Sequence, residues 1–293
     1  MYWVIQDNVF SEAGHEALLQ ALNRGSIPYV LCKFLPFTHK LVPYDLDFTL
    51  YDNVDEIPEI EVPEGPVYVD HPSLILEPHA MDMPGNYTMI CGSTLLNLVS
   101  QEKGWIPGTF LNDNFHYNKW KEHWGINLLN SIAIVDKLGT IAPPWNDIFI
   151  RPCKDTKAFT GLLLRQGDFN QWREDQLSSG RDPEWLSAET EVVASPYREI
   201  LAEYRFFVVD KRIVTSSMYK LGSRVCYDEY VNPSVTEFAQ AMVDMWQPAR
   251  GFVIDIAETA EGPKVIEVNN LNSSGFYACN VGKIVEAIEE MEF

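Results

Sequence analysis

Two carboxylates and a carboxamide near the end of the chain have the types and spacing that suit a metal ion. In the segment 251–270, apolar runs flank the turn-forming sequence Glu261-Gly262-Pro263, and this pattern predicts a β-hairpin. A hairpin centred on residue 261 places Asp255 directly opposite Glu267 and puts Asn269 on the same face. Carboxylates that face each other repel unless a cation lies between them. Oxygen ligands without Cys or His favour Mg²⁺ completed by substrate phosphates, and exposed acids on an alternating strand are the alternative.

A basic segment contrasts with a strongly acidic chain. The 293 residues include 22 Lys or Arg and 42 Asp or Glu, a formal net charge of −20, which opposes general binding to nucleic acids or anionic membranes. Residues 149–165 reverse this balance, with four bases and one acid. The bases are Arg151, Lys154, Lys157 and Arg165. At the end of a predicted strand they supply the local positive charge that a phosphate needs, although a solvated basic loop would have a similar composition.

A second hairpin is predicted by the strand-like segments 203–210 and 212–220. When it is centred on the turn between them, Arg205 lies opposite Ser216. The residues expected on the same face as Arg205 are Glu203, Met218 and Lys220. Arg205 and Lys220 can then converge on one ligand, and a surface ion pair is the alternative for Arg205.

The elements that position these residues form two regions, of which the first is predicted to be α/β. Residues 1–35 show strand, helix and strand patterns in turn. The helix is expected to begin at Ser11 and end at Gly25, with an apolar face formed by Leu18, Leu19 and Leu22. Further strands are expected at 67–70 and 87–92, and a helix at 95–101. The acidic stretch 45–64, with eight acids and no base, predicts a solvated loop.

The second region is predicted to be α+β with antiparallel hairpins. The remaining expected strands are 147–152, 190–195, 203–210, 212–220, 251–257 and 264–269. A helix is expected from about Pro233 to Trp246, with an apolar stripe of Val235, Phe238, Met242 and Met245. Another helix is expected within 124–138. A boundary near 110–120 divides the chain into predicted domains 1–115 and 116–293.

Cysteine spacing and hydropathy exclude several other classes of protein. The five cysteines include no C-x-x-C pair, so they fit neither a disulfide framework nor a zinc site. Cys153 and Cys279 have no histidine at a recognisable spacing, which argues against a nucleophilic role. The sequence has neither a long apolar run nor the pattern of a signal peptide, and we therefore expect a cytoplasmic protein.

Together and in this order, the motifs resemble the ATP-grasp superfamily of carboxylate–amine ligases. The similarity spans roughly residues 147–280 and includes EYRFFVV, VIDI and VIEVN. It is strongest to the small peptide-ligase-like branch often seen in phages and bacterial gene clusters. The resemblance implies an ATP-grasp fold, in which two α+β subdomains clasp ATP, preceded by a small Rossmann-like N-terminal α/β domain. It also implies ATP and Mg²⁺ as cofactors, with Mn²⁺ as a substitute.

The resemblance also assigns roles to individual residues. Asp255, Glu267 and Asn269 would hold Mg²⁺. Arg205 would contact the γ-phosphate and the developing acyl phosphate, with Lys220 beside it as a second catalytic cation. The implied nucleotide-binding residues are Arg151, Lys154, Lys157, Val193, Ala194 and Glu199. The implied residues of the acceptor site are Asn272, Ser274 and Gly275.

Two of these assignments depart from the family pattern or depend on backbone contacts. Arg151 stands where the family usually has a Lys before Pro, so Lys154 or Lys157 would share the phosphate contact. Val193 and Ala194 would pair with adenine through their backbone, and Glu199 would contact the ribose.

The implied reaction is ATP- and Mg²⁺-dependent amide formation through an acyl phosphate, with release of ADP and phosphate. A kinase-like phosphoryl transferase and a non-catalytic ATP-binding module are the alternatives. Expected partners are small-molecule or peptide carboxylates and amines, without general nucleic-acid or membrane binding. Ligases of this kind often form dimers or tetramers, so the resemblance allows a homodimer, in the host cytoplasm if the gene is phage-encoded.

Overall fold

The computed structural model describes residues 1–7, 12–35, 38–51, 53–60, 62, 86–154, 159–178 and 186–293. Across these ranges the strands form two five-stranded sheets and one four-stranded sheet. No helix in the described part of the chain is long and apolar enough to cross a membrane. The predicted strand 67–70, the helix start at Ser11 and the candidate Lys157 lie outside the described residues.

The N-terminal sheet contains a parallel βαβ unit. Its elements are β1 (Tyr2–Gln6), α1 (Glu12–Arg24), β2 (Tyr29–Leu35), β3 (Lys40–Pro43), β4 (Tyr87–Cys91), α2 (Leu96–Glu102) and β5 (Ile106–Gly108). The strand order is β3-β2-β1-β4-β5, with β1 parallel to both β2 and β4. Leu18 and Leu22 of α1 are buried, as the apolar spacing predicts. Most described residues of the acidic segment 45–64 are exposed, and Ile57 is buried.

The four-stranded sheet forms the middle of the chain. Its elements are α3 (Tyr117–Trp124), β6 (Ile134–Lys137), β7 (Asp147–Pro152), β8 (Leu162–Arg165), α4 (Gln166–Ser178) and β9 (Glu191–Pro196), in strand order β6-β9-β7-β8. The helix predicted within 124–138 is wrong, because the β-branched residues at 134 and 135 pair with β9 instead. The helix α4 escaped prediction because Phe169 is its one buried residue.

The C-terminal sheet is antiparallel and packs on both faces. Its elements are β10 (Ala202–Val209), β11 (Arg212–Leu221), β12 (Arg224–Asp228), α5 (Pro233–Met245), β13 (Gly251–Thr259), β14 (Gly262–Asn270) and α6 (Val281–Glu289). The order is β12-β11-β10-β13-β14. Phe207 and Val253 face a core shared with the N-terminal sheet and α6, whereas Phe206 and Ile254 face α3 and α5. The central strands β10 and β13 are therefore held between two apolar layers.

The apolar stripe of α5 differs by one turn from the predicted one. Met245 is 54% exposed, and the buried residues are Val235, Ala239, Met242 and Val243. Val235 and Met242 were predicted correctly. The small residue at 239 lies on the buried face because the helix packs closely against β13 and β14.

Irregularities in the ladders decide two predicted registers. Asp255 lies opposite Glu267 as predicted, although the turn is one pair off centre, because a bulge at Ile256 and Val265 restores the register. In the other hairpin, a bulge beside Phe207 shifts the ladder, and Arg205 lies opposite Ser217 instead of Ser216.

The same irregularities move Met218 to the other face of the sheet. It lies opposite Tyr204, so its predicted place beside Arg205 is wrong. Lys220, in contrast, lies opposite Glu203. The predicted boundary between residues 115 and 116 stays a prediction.

Candidate functional site

A cavity of about 520 Å³ lies between the four-stranded sheet and the C-terminal sheet. Five predicted site residues line it: Arg151, Lys154, Lys220, Glu267 and Asn269. The first two come from the end of β7 and its following loop, and the other three come from β11 and β14. Cationic residues on one wall thus face a carboxylate and a carboxamide on the other, an arrangement that suits a polyphosphate with a divalent cation.

The carboxylate wall is built from the β13–β14 hairpin. Asp255 is fully buried, and Glu267 lies at the cavity. Asn269 joins them, since its Nδ2 donates to Glu267 Oε1 at 3.0 Å and to Asp255 Oδ2 at 3.3 Å. Burial raises the pKa of Asp255 to about 6, and Arg205 opposes this shift by favouring the charged form.

Arg205 is bound to Asp255 in a buried ion pair. Its Nε donates to Oδ1 at 2.9 Å and its Nη2 to Oδ2 at 2.7 Å. Its Nη1 donates to the carbonyl of Gly275 at 3.0 Å, and its Cζ lies 4.5 Å from the ring centroid of Tyr277. Arg205 thus lies directly behind the cavity wall and holds the metal-site carboxylate in place, in contrast to the surface ion pair considered as an alternative.

Lys220 is paired with a carboxylate that sequence reasoning did not select. Its Nζ donates to Glu203 Oε1 at 2.5 Å, and the hydroxyl of Tyr219 donates to the other oxygen at 2.7 Å. Glu203 and Tyr219 both line the cavity. The predicted hairpin already placed Glu203 on the face of Arg205, and this was the signal that could have identified it. Arg205 and Lys220 each have their own carboxylate, so the structure does not show them converging on one ligand.

Arg151 lies at the opposite wall, where it is buried without a carboxylate partner among the described residues. Its Nη1 makes a long hydrogen bond of 3.4 Å to the carbonyl of Pro152, and its Nε and Nη2 have no partner in the described part of the chain. Its Cζ lies 4.7 Å from the ring centroid of Trp120. A buried cation with free donors favours an anion, and the exposed Lys154 beside it increases that preference.

The predicted adenine contacts do not fit Val193 and Ala194. Both residues are fully buried in the interior strand β9, between β6 and β7. Ala194 lies opposite Ile134 on one side and Ile150 on the other, so the backbone groups there belong to the ladders. The cavity is instead lined where β9 ends, by Pro196, Tyr197 and Arg198. Glu199 is exposed and does not line the cavity, whereas Glu203 does.

The predicted acceptor residues have different roles in the structure. Asn272 is buried, and its Nδ2 donates to the carbonyl of Ile90 at 2.6 Å while its Oδ1 accepts from the amide of Phe110 at 2.9 Å. Ser274 is also buried, with its hydroxyl donating to the carbonyl of Asn270 at 2.7 Å. These two side chains fix the loop to its surroundings. Gly275 reaches the site through its carbonyl, which binds Arg205.

The cysteines near the site are inert thiols. Burial raises the pKa of both Cys153 and Cys279 to about 12, so neither forms a thiolate near neutral pH. Within the described ranges, no group of three His, Cys, Asp or Glu side chains is placed to hold a metal ion by itself. A cation at Asp255 and Glu267 would therefore need Asn269 and ligand oxygens to complete its coordination.

Comparison with known proteins identifies the fold around this cavity. A family model for an ATP-grasp domain, the third family of its clade, matches residues 74–288. The solved structure of a D-alanine–D-alanine ligase from Coxiella burnetii has a TM-score of 0.59 at 12% identity, covering 98% of this chain and 88% of that chain. A RimK domain ATP-grasp protein from Sphaerobacter thermophilus has a TM-score of 0.55 at 10% identity, covering 99% and 100%.

A third solved structure shares the same fold. The ATP-grasp ligase PsnB, complexed with a minimal precursor, has a TM-score of 0.52 at 12% identity, covering 98% of this chain and 97% of that chain. No curated protein sequence matches the chain. At these identities the similarity to solved structures concerns the fold.

Proposed function

Since the chain belongs to the ATP-grasp domain family, we propose that it is an ATP- and Mg²⁺-dependent ligase that forms an amide. The observation that carries this proposal is the cavity, where the uncompensated cation Arg151 faces Glu267 and Asn269 across about 520 Å³. A nucleoside triphosphate with its metal complements both walls.

The residues present fit a divalent cation. Glu267 and Asn269 would hold it from the cavity wall, with Asp255 directly behind them. The cation, Mg²⁺ or Mn²⁺, would supply neutralisation of phosphate charge when bound. Asp255 contributes to this site only when ionised, and its partner Arg205 favours that state.

In the proposed reaction a substrate carboxylate attacks the γ-phosphate, ADP leaves, and an amine then displaces phosphate to give the amide. The protein would contribute positioning and charge neutralisation in place of a nucleophile. Arg151 and Lys154 would bind phosphate oxygens from one wall. Lys220 would contribute from the other, oriented by Glu203.

Support for amide formation comes from the structural neighbours, which include D-alanine–D-alanine ligases and a ligase complexed with a minimal precursor. We extend this to small-molecule or peptide carboxylates and amines as substrates, and to a cytoplasmic enzyme. The proposal includes a homodimer in which the second copy leaves the cavity open.

A coupled ADP-release screen with pooled amino acids and peptides, followed by mass spectrometry, tests the proposal. An amide product with free phosphate supports ligation, whereas a stable phosphorylated product shows a kinase, and nucleotide binding without turnover shows a binding module. Glu267→Gln should abolish ADP formation and leave the fold intact. Glu261→Gln, at the exposed turn of the same hairpin, is the matched control.

A further inference from the structure

Arg151 is held in the cavity wall by aromatic rings. It is 9% exposed, and its Cζ lies 4.7 Å from the ring centroid of Trp120 and 5.7 Å from that of Tyr117. Both distances are within the range of a cation–π contact. Among the described residues, no carboxylate forms an ion pair with this guanidinium, unlike Arg205 and Lys220.

The two rings are themselves fixed by the fold. Tyr117 and Trp120 are three residues apart on α3, so they lie on one face of the helix. The hydroxyl of Tyr117 donates to the carbonyl of Asn130 at 2.5 Å, and Trp120 Nε1 donates to the carbonyl of Asn114 at 3.2 Å. The amide of Tyr117 also donates to the carbonyl of Cys153 at 3.1 Å, which joins the start of α3 to the end of β7.

Stacking and ion pairing leave a guanidinium in different states. A carboxylate would neutralise the charge and occupy its N–H fork, as Asp255 does for Arg205. An aromatic face contacts the plane of the guanidinium and leaves the N–H groups at its edge unused, here Nε and Nη2. Arg151 therefore keeps both its charge and two adjacent donors.

We propose that Trp120 is a positioning residue for phosphate binding, because it holds Arg151 as an uncompensated cation whose Nε and Nη2 bind two phosphate oxygens together. This inference rests on the proposed function, since the anion is a phosphate of the bound nucleotide. It also gives a reason for Arg at this position. A lysine head is a point charge without a planar face, so it would keep the attraction and lose the paired donors.

Binding measurements without turnover test the proposal. The affinities of ATP, inorganic tripolyphosphate and adenosine are measured by calorimetry for the wild type, Trp120→Leu, Trp120→Phe, Arg151→Lys and the double variant Trp120→Leu/Arg151→Lys. Trp246→Leu is the control, because Trp246 stacks on His123 at 4.4 Å and does not line the cavity. Thermal unfolding verifies that each variant is folded.

We expect Trp120→Leu and Arg151→Lys each to weaken ATP and tripolyphosphate binding about tenfold and to leave adenosine binding unchanged. Trp120→Phe should restore most of the affinity, and the double variant should bind no more weakly than either single variant. An equal loss for adenosine, or losses that add in the double variant, would overturn the inference while ATP binding by the wild type still supports the nucleotide site. A wild type that binds no ATP would contradict both.

If Trp120→Leu does not fold, the same cycle is measured with Trp120→Phe and Arg151→Lys. Losses that are smaller in combination than their sum support the contact between the two side chains, and additive losses contradict it.

Discussion

Arg205 and Asp255 form a bidentate ion pair that occupies both oxygens of the metal-site carboxylate, at 2.9 and 2.7 Å. Both residues are buried, at 6% and 0% exposure. A divalent cation and this guanidinium therefore compete for Asp255. Phosphate oxygens that attract Arg205 would shift the competition towards the metal, so nucleotide and cation are expected to bind cooperatively.

Removal of the guanidinium should release the carboxylate for a metal ion. We expect Arg205→Met to bind Mn²⁺ without nucleotide at pH 8 at least severalfold more tightly than the wild type, as measured by electron paramagnetic resonance. Arg212→Met is the control, because Arg212 pairs with Glu290 on the exposed surface. Equal Mn²⁺ affinities for Arg205→Met and the wild type would show that the ion pair does not compete with the metal.

The raised pKa of Asp255 should appear in the pH dependence of stability. Burial raises this pKa from an ordinary 3.8 to about 6, so between these values the folded protein holds a proton that the unfolded chain has lost. This contribution to the free energy of unfolding is complete below about pH 4 and is lost as the pH rises through about 6.

Asp255→Asn lacks this titration. The free energy of unfolding of the wild type minus that of Asp255→Asn, from urea denaturation, should fall between about pH 4 and 6 and stay constant above about pH 7. Glu261→Gln, which changes an exposed acid, serves as the control. A difference that instead grows across this range would show that ion pairing outweighs burial in setting the pKa.

Glu203 should affect nucleotide use through Lys220. In Glu203→Gln the side chain can still accept a hydrogen bond from Tyr219, but it no longer carries the charge that holds Lys220 at 2.5 Å. We expect KM for ATP to rise about tenfold with a smaller change in kcat, measured by coupled ADP release. Glu122→Gln, which removes the exposed partner of Lys119, is the control, and unchanged kinetics in Glu203→Gln would contradict the role.

Asn272 should matter for stability more than for binding. Asn272→Ala removes the partners of the Ile90 carbonyl and the Phe110 amide, both within the fold, at a cost of about 2 to 4 kcal/mol in the free energy of unfolding. ATP affinity should change less than twofold, because the side chain does not line the cavity. Asn118→Ala, on the exposed face of α3, is the control. A loss of ATP affinity at wild-type stability would instead place Asn272 in the binding site.

The parts of the site that the sequence predicts are those carried by side-chain alternation within one hairpin. Asp255 faces Glu267 as predicted because the off-centre turn and the bulge displace the ladder in opposite directions. No compensation occurs for Arg205, and a single bulge moves its partner from residue 216 to 217. Bulges depend on how a strand fits its neighbours, and this information is distant in sequence.

The missed residues depend on contacts between elements. Val193 and Ala194 have the composition of a buried strand, but only the sheet shows that β9 is paired on both sides and reaches the cavity at Pro196. Trp120 lies about thirty residues before Arg151, and nothing local to either position indicates that their side chains meet. The polar helix α4 lacks the apolar period that would have indicated it.

The contacts of Asn272 limit how this protein can be divided. Its side chain bonds to the carbonyls of β4 and β5, and the amide of Gly92 donates to its own carbonyl at 2.9 Å. Three residues later, the carbonyl of Gly275 binds Arg205. The first sheet is thereby connected to the reactive end of the cavity. A chimera that exchanges the N-terminal sheet for a relative's would inherit a displaced arginine unless the strand ends that receive Asn272 are transplanted with their geometry unchanged.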